Sequence, residues 1–225
     1  MQERPKLKLI TTQDGSHSLM REDLNETYHS FHGAMGESKY VFIEQGLDWR
    51  AQQGNSESLK VFEVGFGTGL NAYLAAEWAV KKEVTIEFHS VEPFPVPREL
   101  YEQFNYAQSE EGNQLLQKLH DVPWDSLQNI NDHFSLVKYT STLEEFRSSL
   151  KFDLIFFDAF APSKQAEVWN LENLQKCFEM TNARGYLTTY CAQGQFKRNL
   201  AAAGYEVETL KGAMGKKEMV RGLKF

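Results

Sequence analysis

A glycine-rich turn after a short apolar strand is the feature that most constrains the fold of this chain. The stretch VFEVGFGTGLN runs from Val61 to Asn71 and places Gly65, Gly67 and Gly69 at alternate positions. Glycine allows positive φ angles and a close approach of the backbone to a ligand. In an open α/β sheet, ligands bind beyond the carboxyl ends of the strands. The stretch therefore predicts a buried parallel strand, a turn that faces a nucleotide-like ligand, and a helix that begins at the turn.

Strand-like and helical segments alternate after the glycine turn. Strand patterns occupy residues 59–64, 84–92, 134–139, 152–160, 185–192, 205–211 and 218–225. Helical patterns lie between them, at residues 70–82, 98–122, 143–150, 172–181 and 194–204. Such alternation is typical of right-handed crossovers and a parallel sheet. We predict an α/β, Rossmann-like fold with a mostly parallel seven-stranded sheet. Helices cover both faces, and the last two strands form one antiparallel edge.

The segment before the first parallel strand is predicted to be distinct. Alternating apolar residues flank Asp14 and Gly15 within residues 7–20, which is a β-hairpin signal. A polar stretch that contains Gly and Ser, at residues 51–60, is typical of a linker. We expect residues 1–58 to be an N-terminal extension, either a lid or a small subdomain, that precedes the main domain at residues 59–225.

The composition of the chain limits the cellular compartments and the binding partners that we expect for the protein. No apolar run approaches the roughly 18 residues that a membrane-spanning helix requires. The N-terminus has no apolar core followed by a cleavage site. Cys177 and Cys191 are too few for a disulfide framework or a Cys-based zinc site, and the histidines near the N-terminus have loop-like spacing. We expect a cytoplasmic protein that uses neither a membrane nor a metal.

Charge is unevenly distributed along the chain. The net charge of -7 disfavours strong, non-specific binding to nucleic acid. Basic residues nevertheless outnumber Glu218 near the C-terminus, where the sequence contains Lys211, Lys216, Lys217, Arg221 and Lys224. A local basic surface is compatible with an acidic total, because electrostatic steering depends on how charge is distributed. On charge alone, the cluster is equally an ordinary solvated surface.

The spacing of the glycines indicates which class of cofactor the loop binds. Dinucleotide-binding loops have the pattern G-x-G-x-x-G, whereas this chain has E-x-G-x-G-x-G, which begins at Glu63. The shorter spacing fits a loop that packs against adenosine and an amino-acid tail, as in Rossmann-like, class I methyltransferases that use S-adenosylmethionine. An NAD-dependent oxidoreductase is therefore disfavoured. The predicted cofactor loop consists of Glu63, Gly65, Phe66, Gly67, Thr68, Gly69 and Asn71.

Two further strands end in carboxylates. Glu92 ends the strand after the first helix, where an acid can accept hydrogen bonds from both ribose hydroxyls. Asp158 ends the apolar strand FDLIFFD and precedes a loop that contains proline. Because the carboxyl ends of parallel strands meet at one edge of a sheet, we expect Glu92, Asp158 and the glycine turn to form one site.

These residues belong to a longer series of motifs. The series lies between Thr12 and Gly222 and includes DGSHSL, YHSFHGAMGESKYVFIEQGL, EVGFGTGLN, SVEPFP, FFDAFAPSKQAEVWN and KGAMGKKEMVRG. With these motifs the chain resembles the MnmC methyltransferase-domain family. The resemblance implies methyl transfer from S-adenosylmethionine to the amine of 5-aminomethyl-(2-thio)uridine at the wobble position of tRNA. It also implies a stand-alone, MnmD-like methyltransferase domain at residues 59–225, without the flavin-dependent oxidase of fused members.

The resemblance also implies roles for individual residues. The glycine loop and Glu92 would hold the cofactor, and Asp158 and Phe160 would lie where the sulfonium meets the target base. Ser38 and Phe42, in the segment ESKYVF, are expected to close over the cofactor.

Further residues are expected near adenine and the tRNA. Thr140 aligns with a position where family members often carry an acid near the adenine amino group. The expected substrate-binding residues are Tyr28, His32, Phe160, Lys211, Lys216, Lys217 and Arg221.

Asp158 is expected to orient the attacking amine, and water or Asp158 itself would take the proton. Two other classes of function remain open on the sequence. One is methyl or aminopropyl transfer to a small amine or polyamine. The other is a tRNA-binding protein that retains the fold without catalysis.

Overall fold

The computed structural model describes residues 5–54 and 57–225. The strands in chain order are β1 (Leu7–Thr11), β2 (His17–Arg21), β3 (Glu26–Thr27), β4 (Ser58–Val64), β5 (Thr85–Val91), β6 (Gln128–Asn131), β7 (Phe134–Tyr139), β8 (Phe152–Phe157), β9 (Thr181–Thr189), β10 (Glu206–Lys211) and β11 (Glu218–Leu223). The helices are α1 (Ala34–Ser38), α2 (Trp49–Gln52), α3 (Leu70–Lys82), α4 (Arg98–Tyr101), α5 (Glu110–Asp121), α6 (Leu171–Met180) and α7 (Gly194–Ala202). A π-helical segment, Lys39–Asp48, joins α1 to α2, and a 3₁₀ turn, Ala166–Trp169, precedes α6.

Strands β4 to β11 form one sheet in the order β10-β11-β9-β8-β4-β5-β7-β6. The central strands, from β9 to β7, run parallel to one another. The β10–β11 hairpin at one edge and β6 at the other are antiparallel. The chain passes from β4 to β5 on one side of β4, and β8 later pairs on its other side. Strand order therefore reverses at β4, and ligand sites of open α/β sheets lie at such a point.

The predicted α/β, Rossmann-like fold is confirmed, but the sheet has eight strands instead of seven. The additional strand is β6, with the sequence QNIN, in which Ile130 is the buried residue. A single apolar residue among polar neighbours gives no alternating pattern, so the sequence did not predict this strand. It forms because it folds back on β7 across a tight turn.

Apolar residues of β8 alternate between the two faces of the sheet. Leu154 and Phe156 pack with the π-helical segment and α3, whereas Ile155 and Phe157 pack with α6 and α7. Because successive strand side chains point to opposite faces, one uninterrupted apolar strand can supply both halves of the core. The predicted helices on both faces follow from this arrangement.

The prediction of a helix at residues 143–150 is wrong, because this region consists of turns and irregular backbone. Leu143, Phe146 and Leu150 have helix-like spacing, but they pack with the core beneath α6. Phe146 stacks on Phe62 with ring centroids 5.0 Å apart. Tertiary packing of these apolar side chains therefore prevailed over local helix propensity.

Residues 98–122, predicted as one helical region, contain the separate helices α4 and α5. Ser109 begins the second helix, because its Oγ accepts a hydrogen bond of 3.1 Å from the Gly112 N–H. Among the described residues, every helix is too short or too polar to cross a lipid bilayer.

The N-terminal hairpin is confirmed and has an additional strand. β1 and β2 pair antiparallel around the predicted turn, where Gly15 has a φ angle of 84°. β3 then pairs with β2, so the small sheet has three strands. Residues 55 and 56 of the predicted linker lie outside the described residues, and the lid role of residues 1–58 stays a prediction.

A continuous helical segment from α1 to α2 packs against the main sheet. Phe42 lies 5.0 Å from Phe156, measured between ring centroids, and the Tyr186 hydroxyl donates a 2.6 Å hydrogen bond to the Gly46 carbonyl. The i→i+5 bonding of residues Lys39–Asp48 shifts side-chain spacing away from the 3.6-residue period. This shift explains why the sequence has no clean helical pattern there.

Candidate active site

The turn between β4 and α3 forms the floor of the site. Gly65, Gly67 and Gly69 have φ angles of 95°, 51° and 70°, which strain residues with a Cβ. A Cβ on Gly65 would meet the Asp158 carbonyl oxygen at 2.9 Å, and a Cβ on Gly67 would meet the Tyr28 ring at 3.0 Å. The turn is therefore fixed both by its own backbone and by close neighbours.

Glu92 holds this turn from the adjacent strand. The Gly67 N–H donates to Glu92 Oε2 at 3.0 Å, and the Phe94 N–H donates to Oε1 at 2.9 Å. Burial raises the pKa of Glu92, although both backbone bonds act in the opposite direction. Each carboxylate oxygen can accept a further bond, and Glu92 lines the cavity beside the turn. It can therefore accept hydrogen bonds from the hydroxyl groups of a ribose.

Asp158 follows β8 and faces the first turn of α3. The Asn71 side chain donates from Nδ2 to Asp158 Oδ2 at 2.8 Å. Burial raises the pKa of Asp158 to about 7, although the Asn71 bond lowers it. A carboxyl group that titrates near neutral pH can exchange a proton with a substrate at physiological pH.

A cavity of about 380 Å³ lies along this edge of the sheet. Its volume falls in the range of roughly 300–1,000 Å³ that is typical of small-molecule sites. The wall contains a set of carboxylates, namely Glu92, Glu144, Glu145, Asp158 and Glu167. The described part of the wall also contains the basic residues Arg21 and His29, and burial lowers the pKa of His29 to about 4, so its imidazole is neutral at pH 7. This balance of charge favours a ligand with positive charge.

Aromatic rings border the cavity on the side of the N-terminal sheet. The rings of Tyr28 and Phe160 pack edge to face, with their centroids 4.9 Å apart. The Arg21 guanidinium lies 5.5 Å from the Phe160 centroid and 5.6 Å from the Phe94 centroid. Arg21 is also held by Asp23, with Nη2 and Oδ2 2.6 Å apart. Tyr28, Phe94 and Phe160 thus border the same cavity as Asp158.

The turn between β10 and β11 lies at the same edge of the sheet. Lys216 forms an ion pair with the buried Glu37, and its Nζ lies 4.5 Å from the centroid of the Tyr190 ring. Lys211 and Lys217 are exposed. The turn therefore contributes one lysine that is fixed by α1 and two that face solvent.

Five residues expected at the cofactor do not line the cavity, namely Glu63, Gly69, Ser38, Phe42 and Thr140. Ser38 and Phe42 are buried in the core, where Phe42 packs on Phe156. Thr140 is exposed, and its N–H donates to Asp125 Oδ1 at 3.3 Å. The cavity wall contains Thr142 instead. The role of Thr140 near adenine stays a prediction.

Two residues expected at the tRNA surface also lie elsewhere. His32 is exposed but outside the cavity wall, and its Nδ1 lies 2.8 Å from Gln13 Oε1. Arg221 is buried, with its guanidinium 3.8 Å from the Trp49 centroid and Nη1 bonded to Glu208 at 2.9 Å. Arg221 supports the core between the sheet and α2, so it is not available to a phosphate. Sequence alone gave no sign of this burial.

The sequence did not single out several residues of the wall, among them Arg21, Phe94, Thr142 and Glu144. Arg21 and Phe94 flank predicted site residues, yet neither belongs to a motif with its own chemical signature. Within residues 5–54 and 57–225, no group of three or more His, Cys, Asp or Glu is arranged to hold a metal ion.

The site fits S-adenosylmethionine on two observations. Gly65 and Gly67 have no Cβ, and an added Cβ at either position would fill the space beside the turn. The backbone of the turn can therefore approach an adenosine or amino-acid group closely. The acidic wall matches a ligand that carries a sulfonium and an ammonium. Glu92 is the residue that would hold its ribose.

Comparison with known proteins identifies the family. A family model described as S-adenosyl-L-methionine-dependent methyltransferase matches residues 113–225, which is half of the chain. The chain belongs to this family. S-adenosylmethionine is accordingly its cofactor, and the cofactor prediction from the glycine spacing is confirmed.

Individual relatives of this methyltransferase confirm the resemblance to MnmC. The bifunctional protein MnmC for tRNA 5-methylaminomethyl-2-thiouridine biosynthesis from Pseudoalteromonas atlantica is 30% identical over 217 residues, which cover 87% of this chain and 30% of that protein. The MnmC protein from Actinobacillus pleuropneumoniae is 28% identical over 223 residues, which cover 90% of this chain and 33% of that protein. The chain thus spans about a third of the length of these curated relatives. The crystal structure of MNMC2 from Aquifex aeolicus has a TM-score of 0.76 and 26% identity, covering 99% of this chain and 72% of that one.

Proposed function

We propose that this methyltransferase transfers a methyl group to the primary amine of 5-aminomethyl-(2-thio)uridine at the tRNA wobble position. The product would be 5-methylaminomethyl-(2-thio)uridine. The names of the relatives, which include tRNA 5-methylaminomethyl-2-thiouridine biosynthesis, support this substrate. The cytoplasm is the expected compartment, because the tRNA substrate is found there.

The observation that carries the proposal is the Asp158 carboxyl group at the cavity wall, held by Asn71 at 2.8 Å. An aliphatic amine is protonated at neutral pH and must lose a proton before it attacks. Asp158 can accept a hydrogen bond from this amine and direct its lone pair. With a pKa of about 7, it can also take the proton. S-adenosylmethionine supplies the electrophilic methyl group, so the remaining work of the protein is alignment of the two reactants.

The target base would lie against the aromatic border of the cavity. Tyr28 and Phe160 present ring edges and faces to the cavity beside Asp158. A pyrimidine that is rotated out of the anticodon stack can pack on such rings, as is common in recognition of unpaired RNA bases. We assign Phe160 and Tyr28 to the uridine. The glycine turn, Glu92 and Thr142 are assigned to the cofactor.

The tRNA backbone would contact the turn between β10 and β11. Lys211 and Lys217 are exposed there, at the edge of the sheet that contains the cavity. Phosphate contacts by lysine supply much of the affinity of proteins for nucleic acids. Lys216 is already paired with Glu37, so its contribution is to hold the turn against α1.

A second candidate function is methyl or aminopropyl transfer to a small polyamine. The observation that favours it is the acidic wall, where Glu144, Glu145 and Glu167 accompany Asp158 and Glu92. Carboxylates at several points of a cavity can bind several ammonium groups of one chain. The two functions differ in whether the acceptor is part of an RNA.

Nucleoside mass spectrometry separates these functions. Purified protein and S-adenosylmethionine are incubated with tRNA that carries the aminomethyl-thiouridine, with the same tRNA lacking that group, or with spermidine. A parallel incubation combines spermidine with decarboxylated S-adenosylmethionine, the donor that aminopropyl transfer requires. We expect one methyl group to be added to the modified nucleoside of the first tRNA only. Transfer to spermidine with no change in the tRNA would contradict the proposal and support the second function. Absence of transfer to every acceptor, with cofactor still bound, would remove both.

A further inference from the structure

A fully buried lysine lies against the glycine turn. Lys138, near the carboxyl end of β7, is 0% exposed, although lysine is almost never completely buried without a partner. Its Nζ donates a 2.6 Å hydrogen bond to the His120 carbonyl in the last turn of α5. The same Nζ lies 4.7 Å from the centroid of the Trp124 ring and 5.3 Å from that of Phe66. The ammonium group is therefore held by one carbonyl and two aromatic rings.

Phe66 connects this lysine to the cofactor site. Phe66 follows Gly65 in the turn, lies on the cavity wall and is 3% exposed. Its ring packs edge to face with the rings of His120 and Trp124, at centroid distances of 5.2 Å and 6.0 Å. Cations are attracted to aromatic rings, and more strongly where water is excluded. Lys138 thus stabilises the position of a turn residue that borders the cofactor.

His120 forms a second connection between α5 and the turn. Its Nε2–H donates to the Thr68 carbonyl at 3.0 Å, since a carbonyl can only accept. A Cβ on Gly69 would meet the same nitrogen at 2.9 Å, so the imidazole also packs against the backbone of the turn. Through its own carbonyl, His120 is bonded to Lys138. One residue of α5 therefore contacts both the turn and the buried ammonium.

Attraction between charges does not explain a cation at this place. S-adenosylmethionine has a sulfonium, an ammonium and a carboxylate, so its net charge is positive and the Lys138 ammonium repels it. Removal of an ammonium from water also costs free energy. Burial accordingly lowers the pKa of Lys138 to about 8, although Asp121 acts in the opposite direction. What the ammonium contributes is the geometry that it imposes on Phe66 and on the end of α5.

We propose that Lys138 is a positioning residue for S-adenosylmethionine, because its ammonium holds Phe66 directly and Thr68 through His120. The turn then keeps the backbone conformation that approaches the cofactor. The competing role for Lys138 is to cap the end of α5 alone, where the last carbonyls of a helix favour a cation. The proposal concerns the cofactor and is independent of the identity of the methyl acceptor.

The first test is the cofactor affinity of Lys138→Met, measured by calorimetry on the purified full chain at about pH 7. Methionine is similar to lysine in length and has no charge. We expect the Kd values for S-adenosylmethionine and for S-adenosylhomocysteine, which lacks the sulfonium charge, to rise by similar factors of about tenfold. If repulsion were the main effect of Lys138, the variant would bind S-adenosylmethionine more tightly. Unchanged or lower Kd values would overturn the proposal.

The matched control is Lys118→Met on the same helix. Lys118 Nζ also donates to a backbone carbonyl, that of Ile130 on β6 at the outer edge of the sheet. We expect its Kd values to stay within about twofold of those of the unsubstituted protein. Thermal unfolding shows whether both variants are folded at the temperature of the assay. Equal losses of affinity in the two variants would overturn a specific role for Lys138.

The second test observes the turn directly and uses no ligand. Amide hydrogen exchange of the Lys138→Met protein should accelerate by about tenfold in the peptide that covers residues 65–71. Peptides of α6, on the other face of the sheet, should exchange as in the unsubstituted protein. Acceleration in α5 alone would mean that Lys138 only caps that helix, and it would overturn the proposal.

A third test uses the unsubstituted protein and remains decisive if Lys138→Met does not fold. The ionisable groups around Lys138 are His120 and Asp121 of α5 and Asp125, whose N–H donates to the Lys138 carbonyl. In an NMR titration with isotope-labelled lysine, S-adenosylhomocysteine should raise the Lys138 pKa above about 8, because a ligand that binds the ammonium form more tightly must favour that form. An unchanged or lowered pKa would overturn the proposal.

Discussion

Asn71 Nδ2 donates a 2.8 Å hydrogen bond to Asp158 Oδ2, which connects the helix after the glycine turn to the strand at the centre of the sheet. Asn71 is 4% exposed, and Asp158 lies on the cavity wall. The bond therefore couples the helix that begins at the glycine turn to a carboxyl group on the cavity wall. A change in either residue should alter the alignment of donor and acceptor.

Asp158→Asn should lower the rate of methyl transfer while leaving cofactor affinity little changed. An asparagine keeps the volume but cannot accept a proton, and general acid–base groups contribute about 10²- to 10⁴-fold to rates. Single-turnover assays with the aminomethyl tRNA would measure the rate, and calorimetry would measure the affinity. Asp132→Asn, on the exposed turn after β6, is the control. A near-normal rate for Asp158→Asn would remove Asp158 from the mechanism.

The same substitution should change how stability depends on pH. The pKa of Asp158 is raised to about 7, so the folded protein binds a proton there that the unfolded chain releases. This contribution to stability is full below the unfolded pKa of about 4 and is lost as pH rises to the folded pKa of about 7. The Tm of Asp158→Asn should therefore rise relative to that of the unsubstituted protein between about pH 4 and about pH 7, by roughly 2–4 °C for each kcal/mol of stability that the unsubstituted protein loses. A Tm difference that does not vary with pH would contradict the raised pKa.

Gly65→Ala should weaken cofactor binding more than its effect on stability explains. The residue has a φ of 95°, and an added Cβ would lie 2.9 Å from the Asp158 carbonyl oxygen. The strained φ alone costs about 1–2 kcal/mol. Gly15→Ala is a matched control, because Gly15 has a φ of 84° and its Cβ would meet nothing within 4 Å.

Both glycine variants should lose stability, and only Gly65→Ala should raise the Kd for S-adenosylmethionine, by about tenfold or more. Thermal unfolding and calorimetry separate the two effects. Equal cofactor affinity in the two variants would place the cofactor away from this turn.

Lys211→Ala combined with Lys217→Ala should weaken tRNA binding and flatten its dependence on salt. Each lysine that contacts a phosphate adds close to one unit to the slope of log K against log salt concentration. The double variant should therefore lose up to about two units of slope in a filter-binding or fluorescence titration. Lys81→Ala combined with Lys151→Ala removes two exposed lysines near the amino ends of the strands and should leave the slope unchanged. An equal loss in both double variants would mean that the contacts are not specific to the turn.

Several features of the site follow from local sequence. Gly65, Gly67 and Gly69 are required by positive φ angles within one short turn, so their pattern indicates the cofactor class directly. Glu92 and Asp158 end apolar strands, and parallel strands bring their carboxyl ends to one edge. The alternation of strands and helices similarly predicts the parallel sheet.

Other features depend on contacts between distant segments. Phe146 packs on Phe62 instead of continuing a helix, and Arg221 is drawn beneath Trp49, 172 positions earlier in the chain, instead of facing solvent. Thr142 lines the cavity, whereas Thr140, two positions earlier, is exposed outside it.

The sequence by itself determined the central alternation of parallel strands and helices, the glycine turn and the acids that end two strands, because each of these depends on short-range backbone geometry. Only the tertiary structure decided that Asn71 bonds Asp158, that Lys216 pairs with Glu37, and that the buried Glu63 accepts a hydrogen bond from Ser90. These outcomes depend on burial and on distances between separate elements. No local pattern of residues records such distances, so they appear only when the sheet, α3 and the N-terminal extension pack together.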